Sequence, residues 1–154
     1  MLFLKCWVGG ENYALDTAQI VEVLPLLEIT PVRPAPVGVA GLANYRGRLV
    51  PVVDLSELMQ GEPAPPHIST RLILLRYGEQ LLGLIAERAT EMMQREAGSF
   101  ADTGIACDAA PYLGPGTLDG GQLVRRIEVQ NLLPAAVSSI LFRQAEESAW
   151  STPK

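Results

Sequence analysis

Histidine and cysteine are scarce in this sequence and long apolar runs are missing, and each shortage removes a class of function. The one histidine, His67, stands in the proline-rich stretch QGEPAPPHIST (60–70). Its composition marks that stretch as an exposed loop, which leaves no histidine in a core to act as general base or metal ligand. Cys6 and Cys107 are the only cysteines, far apart and outside any Cys-x-x-Cys. Neither a zinc site nor a disulfide framework is indicated, and two reduced, buried thiols are expected. Basic clusters are also missing: 12 Lys and Arg stand against 17 Asp and Glu for a net charge of −5, and only Arg46/Arg48 and Arg125/Arg126 come close together. Phosphate backbones need clustered cations, so nucleic acid is excluded as a partner. The opening MLFLKCWVGGEN is too short in apolar residues for a signal-peptide core, and nothing approaches the roughly 18–20 residues of a membrane span. Cytoplasmic residence without membrane insertion is the expectation.

The motifs of catalysis are missing too. No Gly-x-Ser-x-Gly, Walker-type loop or His-Glu-x-x-His occurs. Gly114-Pro-Gly116-Thr-Leu-Asp-Gly120 has the wrong glycine spacing for a dinucleotide loop and is followed by a strand-like run where a phosphate-binding helix belongs. Asp16, Asp54, Asp119 and Glu128 fall at strand ends or turns, where carboxylates cap backbone N–H groups. Catalytic, cofactor-binding and metal-binding residues are therefore all expected to be none. The strongest residual enzyme idea is a carboxylate pair such as Glu22 with Asp54, which a sequence cannot bring into reach.

What is present is a turn-rich globular composition, 48% apolar with 14 Gly and 12 Pro in 154 residues, enough for one ordinary domain or two small lobes sharing a core. Phe3–Val8 and Tyr13–Leu15 flank Gly9-Gly10-Glu11-Asn12 as a first hairpin, and Asp16 and Thr17 cap a helical turn leading into a strand from Ile20 to Leu24. Pro31, Pro34 and Pro36 hold an extended connector. Val37–Tyr45 and Arg48–Leu55 surround Arg46-Gly47 as a central hairpin, in which Gly47 takes the positive φ a tight turn requires. Pro51 places its arm at an edge or a bulge. Ser56–Met59 reads as one helical turn, and residues 60–70 as a linker. Arg71–Tyr77 with Gln80–Ala86, continued by Thr90–Met93, and Tyr112–Leu118 with Gln122–Val129 form two further hairpins around an irregular stretch at 98–111. Spacings of three and four at Asn131, Leu132, Leu133, Ala136, Val137, Ile140 and Leu141 predict a closing helix, and a polar tail with Trp150 follows. Two charges stand out: Arg46 at the tip of an apolar hairpin and Glu22 inside an apolar strand. A salt bridge spanning two lobes is one arrangement; two independently solvated side chains are the other.

Tyr13-Ala-Leu-Asp16, Val21-Glu-Val23, Ile29-Thr-Pro-Val32, Val39-Ala-Gly-Leu-Ala-Asn-Tyr-Arg-Gly47 and Val50-Pro-Val-Val-Asp-Leu55 together resemble the CheW coupling proteins of bacterial chemosensory systems. Gly83-Leu-Ile, Ala110-Pro-Tyr-Leu113 and Asp119-Gly-Gly-Gln-Leu-Val124 are similar to the family's second half, so the likeness runs from Phe3 to about Leu141. The resemblance implies a mostly β fold: two interlocked five-stranded SH3-like β-barrels with short helical turns and a C-terminal helix. Residues 1–142 would be the CheW-like domain, two barrel lobes with the Pro-rich loop near 60–70 intervening, and residues 143–154 a polar, flexible tail. It implies a non-catalytic adaptor with no cofactor, coupling the cytoplasmic tip of a methyl-accepting chemotaxis receptor to the regulatory domain of a CheA-type histidine kinase. Recruitment to ring or array assemblies at the inner membrane is implied with it. Glu22 and Arg46 would be the inter-lobe ion pair, with Asn44 and Gly47 in the hairpin turn. Leu4, Thr17, Ile20, Val23 and Ala89 would line an apolar groove for the receptor. Two departures bear on which receptor is recognised: Glu87-Arg88-Ala89 replaces the usual Asp-Arg-Val, and Tyr45 stands where leucine is typical. The rival class is a small β-barrel that binds a metabolite.

Overall fold

Alternating apolar runs broken by glycine turns become ten strands in the computed structural model. They are β1 (Leu2–Val8), β2 (Glu11–Asp16), β3 (Ile20–Pro25), β4 (Ile29–Thr30), β5 (Val39–Tyr45), β6 (Arg48–Asp54), β7 (Arg71–Tyr77), β8 (Gln80–Gln94), β9 (Leu113–Asp119) and β10 (Gln122–Ile127), with a short α-helix, α1 (Leu55–Gln60), after β6 and helical residues near the C-terminal end. The structure describes residues 1–32, 35–102, 110–134, 137–139 and 141–143, and the backbone alone at Ala97. The fold is mostly β.

The organising element is β8. Its first half pairs antiparallel with β7, from Arg71↔Ala86 to Tyr77↔Gln80, and runs parallel to β6 at Val52↔Gly83. Its second half pairs with β1, from Trp7↔Glu87 to Leu2↔Gln94. One lobe is therefore built from the middle of the chain, β3 to β7 with the start of β8; the other comes from the two ends, β1, β2, β9 and β10 with the rest of β8. The end lobe has the expected five strands, and the middle lobe has six when the two-residue β4 is counted. After β8 an isolated antiparallel bridge, Ala101↔Gly116, ties the segment that follows it to β9.

Strand alternation sorts the buried side chains into three clusters. The largest draws on both lobes, with Leu4, Cys6 and Leu15 from one and Leu55, Ile73 and Leu84 from the other. Phe3, Ala14, Met93 and Val124 with Phe100 fill the end lobe. Ala43, Val52, Leu72 and Ile85 fill the middle lobe.

Three expectations change. Pro51 is neither at an edge nor in a bulge: β6 lies between β5 and β8, and pairing with β8 begins only at Val52, so the missing N–H removes no rung there. Residues 61–70 do not intervene between lobes. They join α1 to β7 inside the middle lobe, where buried Asp54 accepts from the Ala64 N–H at 2.9 Å and the Thr70 hydroxyl donates to the Pro65 carbonyl at 2.8 Å. The closing helix does not begin at Asn131, because Val129–Asn131 is a 3-10 turn; residues 137–139 and 141–143 are helical, with Arg143 in the helix rather than the tail. Leu132, Leu133 and Leu141 still reach the shared core. Cys107, Ala136, Ile140, Trp150 and the tail from 144 lie outside the described residues.

Candidate functional site

The central hairpin turns through Arg46 (φ 52°) and Gly47 (φ 84°), with Tyr45↔Arg48 as the last rung. Two successive positive φ values match the right-handed twist of the strands. Asn44 supports the turn, its Oδ1 accepting from the Gly47 N–H at 2.8 Å. Glycine was expected to carry the positive φ; an arginine carrying it as well is uncommon, and such strained backbone concentrates at functional positions.

Glu22 and Arg46 meet, but within one lobe, because β3 and the β5–β6 turn both belong to the middle group; the inter-lobe placement is thereby corrected. The contact is long, with Arg46 Nη2 3.5 Å from Glu22 Oε2. The same oxygen accepts a hydrogen bond from the Tyr45 hydroxyl at 2.5 Å, and the Arg46 guanidinium lies 5.0 Å from the centre of the Tyr45 ring. That hydrogen bond raises the pKa of the Tyr45 hydroxyl, since removing its proton would set two anions side by side. Sequence reasoning missed this partner, and its signal was the tyrosine in place of leucine.

Of the five groove candidates, Leu4 and Ala89 are core residues, 1% and 2% exposed, so they do not present side chains to a partner. Leu4 is covered because β1 is flanked by β2 and β8, and its face packs on the shared core. Thr17 and Ile20 are half-buried and Val23 is exposed. The Thr17 hydroxyl donates to the Leu2 carbonyl at 2.9 Å, tying the start of β1 to the turn that enters β3. Along β3 a register shift falls between Ile20 and Glu22, opposite Leu75 and Leu74. Ile20 and Val23 thereby both stand opposite shared-core residues, Leu75 and Ile73. Val21 and Val23, with Leu2 and Met92 on β1 and β8, leave large apolar side chains in solvent.

A charged network in the end lobe was not foreseen. Asp119, expected to cap a turn, accepts from Lys5 Nζ and from Arg95 Nη2, each at 2.7 Å, and Glu91 lies 3.5 Å from the same lysine. The hydrogen bond from Lys5 holds the Asp119 carboxyl below its usual range, and the same bond holds Lys5 above its own. Arg126 lies 3.3 Å from Asp16 and 5.4 Å from the centre of the Phe3 ring. Asp16 and Asp54 do cap helical turns as expected, accepting from the N–H groups of Ala18 and Glu57. Glu128 makes no such bond. Asp54 spends its second oxygen on Ala64, so both of its oxygens face backbone donors. Among the described residues no three His, Cys, Asp or Glu side chains gather to hold a metal ion, and no helix is long and apolar enough to cross a membrane.

Known proteins are similar to this chain in sequence and in fold. The Chemotaxis protein CheW of Klebsiella aerogenes is 26% identical over 151 residues, covering 94% of this chain and 88% of the relative. The protein of the same name from Rhizobium meliloti is 23% identical over 130 residues, 83% of this chain and 84% of its own. The crystal structure of the scaffolding protein TtCheW from Thermoanaerobacter tengcongensis superposes with a TM-score of 0.78 at 21% identity, covering 88% of this chain and 89% of that one, and supports the fold. The CheW-like domain matches residues 2–137, from the first strand of the end lobe through the whole middle lobe to the start of the closing helix, and this chain belongs to that family.

Proposed function

We propose that this protein is a non-catalytic adaptor of a bacterial chemosensory system. It couples the cytoplasmic tip of a methyl-accepting receptor to the regulatory domain of a CheA-type histidine kinase and so controls autophosphorylation. The observation that carries the reading is the CheW-like match over both lobes, residues 2–137, shared with relatives named chemotaxis proteins. The surface chemistry fits the task. Helical receptor tips are recognised by an apolar cleft with polar residues at its rim. Ile20 and Val23 supply apolar contact along β3, Thr17 and Arg46 the polar rim, and Leu4 and Ala89 the packed floor beneath. Val21 and Val23 on β3, and Leu2 and Met92 in the end lobe, are exposed in the isolated chain and offer apolar surface to a partner. The outer ends of the two lobes then face the kinase, which permits ring or array assemblies at the inner membrane.

The test is reconstitution. The purified chain should retain a CheA-type kinase and a soluble receptor tip fragment together, and kinase autophosphorylation should depend on its presence. Val23→Asp, at a position 36% exposed on β3, should weaken receptor capture by about tenfold or more while lowering the melting temperature by only about 2–4 °C. Capture of neither partner at micromolar concentration would overturn the proposal.

A further inference from the structure

Among the described residues one buried polar side-chain atom lacks a hydrogen-bond partner: Oδ1 of Asn12, near the start of β2. The residue is 6% exposed, and its side chain is held by one bond, Nδ2 donating to Oε1 of the exposed Gln122 at 2.9 Å. A buried acceptor without a donor is costly, so it marks a place where a donor from outside the chain belongs. Asn12 borders a cavity of about 330 Å³ at the parallel pairing of β2 with β10, where Asn12↔Val124 and Tyr13↔Arg125 are rungs. That volume suits a small molecule. Two opposite charges line the same cavity without pairing. Glu11 accepts only from the Tyr13 hydroxyl, at 2.9 Å. Half-buried Arg125 reaches only the Gly114 carbonyl, through Nε at 3.4 Å and Nη2 at 3.3 Å, which leaves Nη1 without an acceptor among the described residues. Burial above all, then the bond and charge of Glu11, hold the Tyr13 hydroxyl above its ordinary pKa, and the Arg125 charge opposes them, so both charges bear on one phenol. At the rim Leu123 is 49% exposed, and its cross-strand partner Leu118 is 67% exposed.

We infer that this cavity binds a free α-amino acid with an apolar side chain: Arg125 takes the carboxylate, Glu11 and Asn12 Oδ1 take the ammonium, and Leu123 takes the side chain. An anion alone leaves Glu11 and the Asn12 oxygen unmatched, and a cation alone leaves Arg125 unmatched. A zwitterion answers both within one small cavity. Gln122 is the gate, because releasing its bond frees the Asn12 amide to turn its oxygen inward. The inference goes beyond the coupling function and does not depend on it, since none of these residues is among those assigned to the receptor.

Titration of the purified chain with L-leucine, followed by amide NMR, tests this. Saturable shifts centred on residues 10–13 and 122–125, with a dissociation constant of about 1 mM, are expected. Isocaproate, which lacks the ammonium, and isoamylamine, which lacks the carboxylate, should each bind wild type roughly tenfold more weakly. Glu11→Gln should weaken leucine and leave isocaproate unchanged, whereas Arg125→Gln should weaken leucine and leave isoamylamine unchanged. Damage to packing alone would weaken all three ligands together. The analogue comparison needs only the wild-type chain, so it decides the matter even where a variant unfolds. No saturable shift up to about 50 mM leucine, equal binding of leucine and either analogue, or folded variants that weaken all three ligands alike would each overturn the inference.

Discussion

Replacing Gly41 with alanine should damage this fold far more than the same change at Gly47, although both lie in one hairpin and both have positive φ. At Gly41 φ is 143°, and an added Cβ would sit 2.1 Å from the Thr30 carbonyl oxygen and 2.8 Å from its carbon. Both are backbone atoms of β4, so no rotamer change relieves the clash. The two rungs Ile29↔Ala43 and Thr30↔Leu42 are all that hold β4, and Ile29 packs on the middle-lobe cluster. Backbone strain of about 1–3 kcal/mol, the loss of these rungs and the partial exposure of Ile29 together come to roughly 3–5 kcal/mol. At Gly47 φ is 84° and nothing lies within 4 Å of an added Cβ. There the cost is conformational alone, about 1 kcal/mol. For a chain of this length each kcal/mol moves the melting temperature by about 2–4 °C. Differential scanning calorimetry should therefore show a fall of roughly 3 °C for Gly47→Ala and about 10 °C or more for Gly41→Ala. Equal shifts in the two variants would refute the claim that close approach of β4, rather than positive φ, makes Gly41 indispensable.

The remaining predictions concern the end lobe. Because Asp119 is held below its usual pKa, it contributes stability above the ordinary carboxylate range and loses that contribution as pH falls through its folded value. Asp119→Asn should thus be less stable than wild type at pH 7, with the gap closing below about pH 4 in urea titrations at each pH; a gap that persists at pH 2 would contradict the ion-pair assignment. Lys5 is raised, so its contribution is complete at neutral pH and fades only at alkaline pH beyond the ordinary lysine range. Phe3→Ala removes a fully buried ring tilted against Phe100 at 4.9 Å in the small end-lobe cluster and should cost about 3–5 kcal/mol, with amide-exchange protection lost in β1 and β10 before β5 and β6. The Cys6 thiol is completely buried and pushed up to about 12, so alkylation of Cys6 at pH 8, followed by peptide mass, should be roughly a thousandfold slower in the native chain than in urea. Equal rates would mean that β1 is not closed between its neighbours.

The hairpins were legible because they are local. Gly9-Gly10, Arg46-Gly47 and Gly120-Gly121 each sit between apolar runs of opposite facing, and each takes positive φ in the structure. Capping by Asp16 and Asp54 was legible for the same reason, since acceptor and donor are two or three residues apart. Long-range pairing was not. Lys5 and Asp119 are separated by 114 positions, and no composition rule joins them. Leu4 and Ala89 read as surface positions because a single sequence does not reveal that β8 crosses from one lobe to the other, flanking the strand of Leu4 and carrying Ala89 into the shared core. The 60–70 stretch looked like an inter-lobe linker because its prolines signal irregular backbone, and irregular backbone can be pinned as firmly as Thr70 and Asp54 pin this one. Glu22 and Arg46 stand out by their misfit with apolar surroundings; that they lie 3.5 Å apart within one lobe depends on topology that the misfit does not contain.

The sharing of β8 bears directly on what an adaptor must do. Two partners communicate through a protein only if the surfaces that hold them keep a fixed relation; a flexible joint would spend binding free energy on ordering. Here the ladder changes partners between Ala86, opposite Arg71 on β7, and Glu87, opposite Trp7 on β1. Immediately afterwards Arg88 takes φ 51° and lays its guanidinium 4.9 Å from the centre of the Trp7 ring, while three residues of β8 stand opposite the single Cys6. A bulge bends a strand and sharpens its twist, so this one sets the angle between the lobes. The shared cluster beneath it draws side chains from both sides, so changing that angle means repacking a close-packed interior. The lobes are accordingly one mechanical unit, and any partner bound to one lobe is held in fixed register with whatever binds the other.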